Sequence, residues 1–432
     1  MSQRFRWIVL LGVCALAGCG GGQTPASTSS SSSSSGSSSG ATVANVVPVA
    51  VDAGPAAAAG GTFNIPYASV QLCRPGTSTC ATIDNVLVDT GSYGLRIMAS
   101  ALQAAGLSLT TMADPATAGN SIAECLPFAD GYTWGPVARV DVSMAGEAAS
   151  SVSINIIDDT SSYPATAPSS CKNLNSSTSL NSVSAFAANG VLGIGVFDQD
   201  CGPSCANCAS VTGGCTGTND IYYSCNTGTN TCNVTPVALT AQVRNPVALF
   251  ASDNNGVILQ LPSVPAAGQT TASGTLTFGI GTQSDNALGS ATVFTTDNAG
   301  NFTTMFNTQT LASFIDSGSN GLYFPDSSIT ICTNTPSNPT ASDFYCPSSP
   351  QMLQATNQGQ NGSSNSVSFQ ITSLNSLNNS FYAAPTVGGP ASATPGLGSS
   401  FDWGLPFFYG QSVYTAIEGK TAGSATGPYY AY

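Results

Sequence analysis

The chain has 432 residues, with 8 basic against 21 acidic side chains for a net charge of −13, 14 cysteines and no histidine. So few cations over that length build no phosphate-tracking surface, which excludes nucleic-acid binding and charge-driven attachment to an anionic membrane. The lack of histidine removes Ser-His-Asp and Cys-His nucleophile pairs and every histidine-bearing zinc site, so acid/base chemistry falls to carboxylates, with tyrosine as helper. The length exceeds one ordinary core, and two lobes are expected. Abundant Gly, Ser, Thr and Asn beside 42% hydrophobic residues points to a β-rich, loop-rich exported protein rather than a disordered one.

Residues 1–18 carry Arg4 and Arg6, then Trp7-Ile8-Val9-Leu10-Leu11, then small residues. This is the pattern of a secretory signal, too short to span a bilayer. Its end, Leu16-Ala17-Gly18-Cys19, resembles the bacterial lipobox. That resemblance implies a lipid anchor on Cys19 in a bacterial membrane, and Gly20 after it implies the outer membrane, with the protein periplasmic or surface-exposed. The plainer reading is a cleaved signal beside a chance cysteine. Residues 19–45 then form a Ser/Gly-rich tether with a reach of roughly 25 Å.

The first β-lobe is expected over 46–240. Phe63-Asn64-Ile65-Pro66-Tyr67-Ala68-Ser69-Val70-Gln71-Leu72 alternates as a strand, Cys73 to Cys80 encloses a Pro-Gly turn, and 83–88 returns. A Cys73–Cys80 disulfide would staple this hairpin. It leads into Asn85-Val86-Leu87-Val88-Asp89-Thr90-Gly91-Ser92, a buried strand end followed by a tight turn whose hydroxyls and amides can hold a carboxylate. Residues 98–105 before Gly106 read as a short helix with a glycine stop. Cys201, Cys205, Cys208, Cys215, Cys225 and Cys232 crowd about 200–235 among Gly, Thr, Asn and Ser. In an exported chain they are disulfides rather than metal ligands, and the segment reads as a stapled surface insertion. Cys125 with Cys171 is a further possible pair.

The second β-lobe is expected over 241–432, with strands at 257–261, 274–279 and 413–417. Here the acid turn returns as Phe314-Ile315-Asp316-Ser317-Gly318-Ser319. Two carboxylates on twin turns are what a pair sharing one proton requires.

Strand, Pro-Gly turn, strand, then aliphatics and Asp-Thr-Gly-Ser in the first half, with a second aliphatic-led Asp-Ser-Gly-Ser turn in the other, resembles the pepsin-like aspartic peptidases. The resemblance implies a mainly β, bilobal fold with a cleft between related lobes, and a catalytic dyad of Asp89 and Asp316. It further implies that Ser92 and Ser319 orient the outer carboxylate oxygens, that Thr90 and Ser317 cross-link the loops, and that Gly91 and Gly318 complete the turns. Val191-Leu192-Gly193-Ile194-Gly195 and Phe401-Asp402-Trp403-Gly404 are similar to the hydrophobic-glycine segments that thread behind each catalytic loop. Leu192, Gly193, Asp402 and Gly404 are therefore its loop-support candidates, and Cys332–Cys346 a loop-closing disulfide. Gly131-Tyr132-Thr133-Trp134-Gly135 is similar to a flap tip, with Tyr132, or alternatively Trp134, as the flap aromatic.

Two residues depart from the pattern. Arg96 stands where many members carry tryptophan; it is expected on the surface, and would lower the pKa of Asp89 if it pointed inward. Asp402 stands where an apolar residue belongs, either tuning the pair as a third acid or hydrogen-bonding a loop backbone. The implied activity is aspartic-type endopeptidase cleavage of extended peptide or protein substrates by a monomer, without metal or cofactor. The alternatives are a non-catalytic surface binding protein on the same scaffold and a purely structural surface protein.

Overall fold

The structure, a computed structural model, describes residues 44–58, 62–173, 178–208, 221–335, 338, 340–393 and 398–432. The expected signal, Cys19, the tether up to residue 43 and Cys215 lie outside them. No helix among the described residues is long and apolar enough to cross a membrane.

The first described strand, Val46–Val51, alternates exposed and buried residues, so only one of its faces is turned into the core. It pairs antiparallel along its whole length with Ala272–Phe278 from the second half of the chain, and at its end with Pro66–Cys73 from the first. One sheet of fifteen strands thereby runs through both halves, and a second of seven strands belongs to the latter half.

Each half repeats one device. Strand Cys80–Asp89 pairs in parallel with Gly190–Ile194, which pairs antiparallel on its other side with Tyr93–Met98. Strand Gln309–Ile315 likewise pairs in parallel with Ser400–Trp403, itself antiparallel to Leu322–Phe324. In both, a strand from far along the chain threads between the two arms of an acid turn. The registers correspond: Leu95 and Arg96 oppose Leu192 and Val191, as Leu322 and Tyr323 oppose Trp403 and Asp402. The fold is mainly β with two related lobes, as the pepsin-like resemblance implies.

The two devices are backed differently. Aliphatic side chains, among them Val88, Leu95, Ile97, Leu192 and Ile194, fill the first. Aromatic rings fill the second: Phe401 stacks on Trp403 at 4.1 Å and on Phe324 at 5.1 Å, with Phe369 edge-on to Trp403 at 5.5 Å. The buried indole N–H of Trp403 donates to Thr304 Oγ1 at 3.1 Å, so the ring leaves no donor unmet.

Cys73–Cys80, Cys125–Cys171 and Cys332–Cys346 are paired as expected, joined by Cys201–Cys205 and Cys225–Cys232, and Cys208 is also disulfide-bonded. Such a complement belongs to an exported protein. The short helix is Ala99–Ala104, and Gly106 follows it at φ 69°. The cysteine-rich segment, read above as a surface insertion, is in its described part built into the body. Strand Tyr222–Asn226 pairs with Ser121–Phe128, and Tyr222, Tyr223 and Cys205 are fully buried. Ile221-Tyr222-Tyr223 supplies the apolar surface that the Gly- and Thr-rich flanks lack.

Because Trp403 is the centre of the aromatic layer behind Asp316, Trp403→Ala should cost about 3–5 kcal/mol of stability. The measurement is the urea midpoint at constant m-value.

Candidate active site

Asp89 ends strand Cys80–Asp89 and Asp316 follows strand Gln309–Ile315. Each carboxylate is held by its own turn in the same way. Gly91 N–H donates to Asp89 Oδ1 at 2.8 Å and Ser92 Oγ to Asp89 Oδ2. Gly318 N–H donates to Asp316 Oδ1 at 2.7 Å and Ser319 Oγ to Asp316 Oδ2 at 2.9 Å. Short side chains at fixed offsets after the acid thus satisfy both oxygens locally.

The turns are then bolted to each other. Thr90 N–H donates to Ser317 Oγ at 3.0 Å and Ser317 N–H to Thr90 Oγ1 at 2.9 Å. Each hydroxyl in turn donates beneath the opposite acid, Thr90 Oγ1 to Ile315 O at 2.9 Å and Ser317 Oγ to Val88 O at 2.7 Å. The glycines make the approach possible. A Cβ on Gly91 would stand 2.4 Å from Asp316 Cγ, and one on Gly318 would stand 2.6 Å from Asp89 Oδ1. Each acid thus lies against the glycine of the opposite turn, which brings the two carboxyls to one place. Gly193 lies on the first threading strand beside Leu192, and Gly404 directly follows the second after Trp403.

Both acids are 0% exposed. Burial raises the Asp89 carboxyl, and its bonds to Ser92, Asp316 and Gly91 and the charge of Arg96 work against that rise. Asp316 is raised further, by burial first, then by the charges of Asp89 and Asp402 and by its bond to Asp89. Both shifts favour a pair that holds one proton between its two carboxyls, and the charge of Asp402 adds to the rise on the Asp316 side. Among the described residues no set of three or more His, Cys, Asp or Glu is arranged to hold a metal ion.

Arg96 is not on the surface: it is 0% exposed. Its Nη1 donates to Tyr93 O at 2.7 Å, just beyond the Asp89 turn. Its Nε and Nη2 bind Glu124 at 3.1 and 2.7 Å, and Nη2 also binds Asp200 at 2.9 Å. Tyr222 OH donates to Asp200 at 2.7 Å and accepts from Val243 N–H at 2.6 Å. Burial drives the guanidinium pKa down, but Glu124 and Asp200 more than offset this and keep it charged. Two carboxylates against one dry cation leave one charge too many. Burial, then the charge and hydrogen bond of Glu124, push Asp200 well up, so it keeps its proton. Sequence reasoning missed this cluster, although a glutamate inside Ile122-Ala123-Glu124-Cys125-Leu126 was its signal.

The hairpin of Ser121–Phe128 and Gly131–Met144 turns at Ala129 and Asp130, not at the glycine-flanked aromatics. Tyr132 opposes Pro127, and Trp134 opposes Cys125, inside the paired strands. Trp134 Nε1 donates to Ala165 O at 2.9 Å and its ring meets Tyr223 edge-on at 5.4 Å, so its N–H and rings are consumed in the hairpin's own core. The turn itself crosses to the second lobe, where buried Ala129 packs on Ala391 and Phe314.

The model of a family described as "Protein of unknown function (DUF3443)" matches residues 41–432. No curated protein matches the sequence. Among solved structures, an aspartic proteinase from Irpex lacteus is similar at 13% identity and a TM-score of 0.44, with 90% of this chain and 96% of that one covered.

Asp200 and Asp316 bind protons more tightly in the folded chain than in the unfolded one, whose carboxyls titrate near the ordinary value of 3.8. Their stabilisation is complete below that value and is lost as pH rises through the higher folded values. Melting temperature should therefore fall as pH rises above the ordinary carboxyl range. Asp200→Asn and Asp316→Asn, which carry no charge to expel, should each flatten that fall in a calorimetric pH series.

Proposed function

We propose that this chain, which belongs to the DUF3443 family, is an aspartic-type endopeptidase that hydrolyses extended peptide segments with a water activated between Asp89 and Asp316. The observation that carries this reading is the reciprocal lock of the two acid turns, in which every hydroxyl and glycine serves the opposite loop or its own carboxylate.

In this reading Asp89 is the ionised partner, and it takes a proton from the water as its oxygen attacks the peptide carbonyl carbon. Asp316 gives its proton to the carbonyl oxygen, and a gem-diol forms. As the C–N bond breaks, Asp89 passes its proton to the leaving nitrogen and Asp316 recovers one from a diol hydroxyl. The dyad returns to its starting state with no covalent acyl-enzyme. Both acids are 0% exposed, so substrate entry requires an opening movement, which we assign to the Ala129–Asp130 turn seated on Phe314 and Ala391. A lipid anchor at Cys19 and the Ser/Gly tether would hold the enzyme at the bacterial envelope, on the outer membrane.

A second reading, a non-catalytic binding module on the same scaffold, draws on that complete burial of the acids. Casein cleavage between about pH 3 and 6 decides between them, since acid/base groups contribute about 10²–10⁴-fold to rate. Asp89→Asn and Asp316→Asn should each lose activity on that scale. Equal cleavage by parent and variants, or none by any, removes the peptidase reading.

The hairpin has its own test. Ala129→Cys with Ala391→Cys should form a cross-link that shuts the site, cutting activity at least tenfold in oxidant and restoring it in reductant, measured against the parent protein in the same reductant.

A further inference from the structure

The two lobes match strand for strand around the acids, yet at one matched pair of positions they carry opposite chemistry. The antiparallel neighbours are Arg96 and Val191 in the first lobe and Tyr323 and Asp402 in the second. Arg96 places a guanidinium on the Asp89 side, its Nη1 turned to the backbone leaving the acid turn and its bound carboxylates on the other edges. Asp402 places a carboxyl on the Asp316 side, fully buried.

Asp402 lies in parallel register with Phe314, so the two side chains share a face of the sheet. Two residues after Phe314 the same face carries Asp316, whose N–H donates to Trp403 O at 3.0 Å. The third acid is thus one strand away from the dyad, on its side of the sheet. The other titratable or charged groups packed about this place are Tyr323 on the neighbouring strand, whose hydroxyl donates to Asn320 Oδ1 at 2.5 Å, and Asp130 in the turn over Phe314. Tyr93 and Tyr430 feel both acids from behind, and burial keeps their phenols neutral.

We propose that Asp402 is a positioning residue that holds the shared proton on Asp316 and extends the range of the pair toward neutral pH. A carboxylate in a dry site beside Asp316 makes a second negative charge there costly. The first lobe offers Asp89 the reverse, a cation behind the acid that is to stay ionised. The twofold likeness of the lobes is therefore broken electrostatically, and in the sense that gives each acid one task. The inference rests on the dyad reading above, but its test does not require turnover.

The protonated-carboxyl infrared band of the full exported chain is titrated from acid to alkaline pH and assigned by its loss in Asp316→Asn. In Asp402→Asn the midpoint of that band should move about one pH unit toward acid, equivalent to a tenfold change in proton affinity. The alkaline limb of casein cleavage should move with it while the acid limb stays. Should Asp402→Asn fail to fold, Asp402→Val, the residue of the matching first-lobe position, takes its place. A midpoint unmoved in a folded variant overturns the proposal. A midpoint that moves in a protein without casein activity keeps this inference and removes the peptidase reading instead.

Discussion

The approach of the two acid turns depends on four hydrogen bonds between Thr90 and Ser317 and the backbones they face. None of these bonds is local: each joins residues more than two hundred positions apart. They form only if the two lobes dock in one relative position, and two buried carboxyls in contact would otherwise force the lobes apart. The glycines set the limit of that approach, since a single methyl at Gly91 or Gly318 would occupy the opposing carboxyl group. Lobe docking, dyad geometry and proton sharing are thus one constraint seen at three scales. The strand Val46–Val51, paired to both halves, reinforces it from behind.

A chain with few cations and no histidine must bury its acids by other means, and it does so twice with the same solution. At the dyad, two carboxyls share a proton between turn amides and hydroxyls. Behind it, Glu124 and Asp200 meet one guanidinium and Asp200 retains a proton. The second cluster joins the strand leaving the Asp89 turn to the hairpin through Glu124, and to the disulfide-bonded segment through Asp200 and Tyr222. Breaking one member would leave an uncompensated buried charge, which is why such a cluster holds elements in register more than it adds net stability.

The parts legible from sequence were those with a local cause. An aliphatic run ending in Asp-Thr-Gly-Ser is a strand, a turn and a carboxylate with its own donors, and both copies fold as that reading requires. Cys73 and Cys80 flank a turn, so their pairing was equally local. Arg96 was misread because the rule that arginines lie outside has an exception when a partner is buried too. Its partner Glu124 sits on another strand, and nothing in the linear order brings the two together. A charge alone in an apolar strand is still a legible demand for a partner, and both strands made it. The hairpin turn was misplaced by giving weight to the glycines around Tyr132 and Trp134, whereas both glycines are paired within the strands. In the cysteine-rich stretch the flanking composition hid Ile221-Tyr222-Tyr223, which is enough to bury a strand.

The pseudo-twofold arrangement raises a question that its likeness cannot answer, because two acids in equivalent surroundings would hold a shared proton equally. Symmetry must be broken by something outside the turns, since Asp89 and Asp316 have matching donors within them. The packing on the two sides differs, aliphatic behind one turn and aromatic behind the other, but neither layer carries charge. What differs in charge is the pair of positions occupied by Arg96, on the strand that leaves the Asp89 turn, and Asp402, on the strand threaded beside that of Asp316. A cation there stabilises the ionised form of its neighbour and a carboxyl destabilises it, so the direction of the asymmetry follows from the sign of two side chains. Both departures from the resembled pattern fall at these positions, and they act in concert on the same proton.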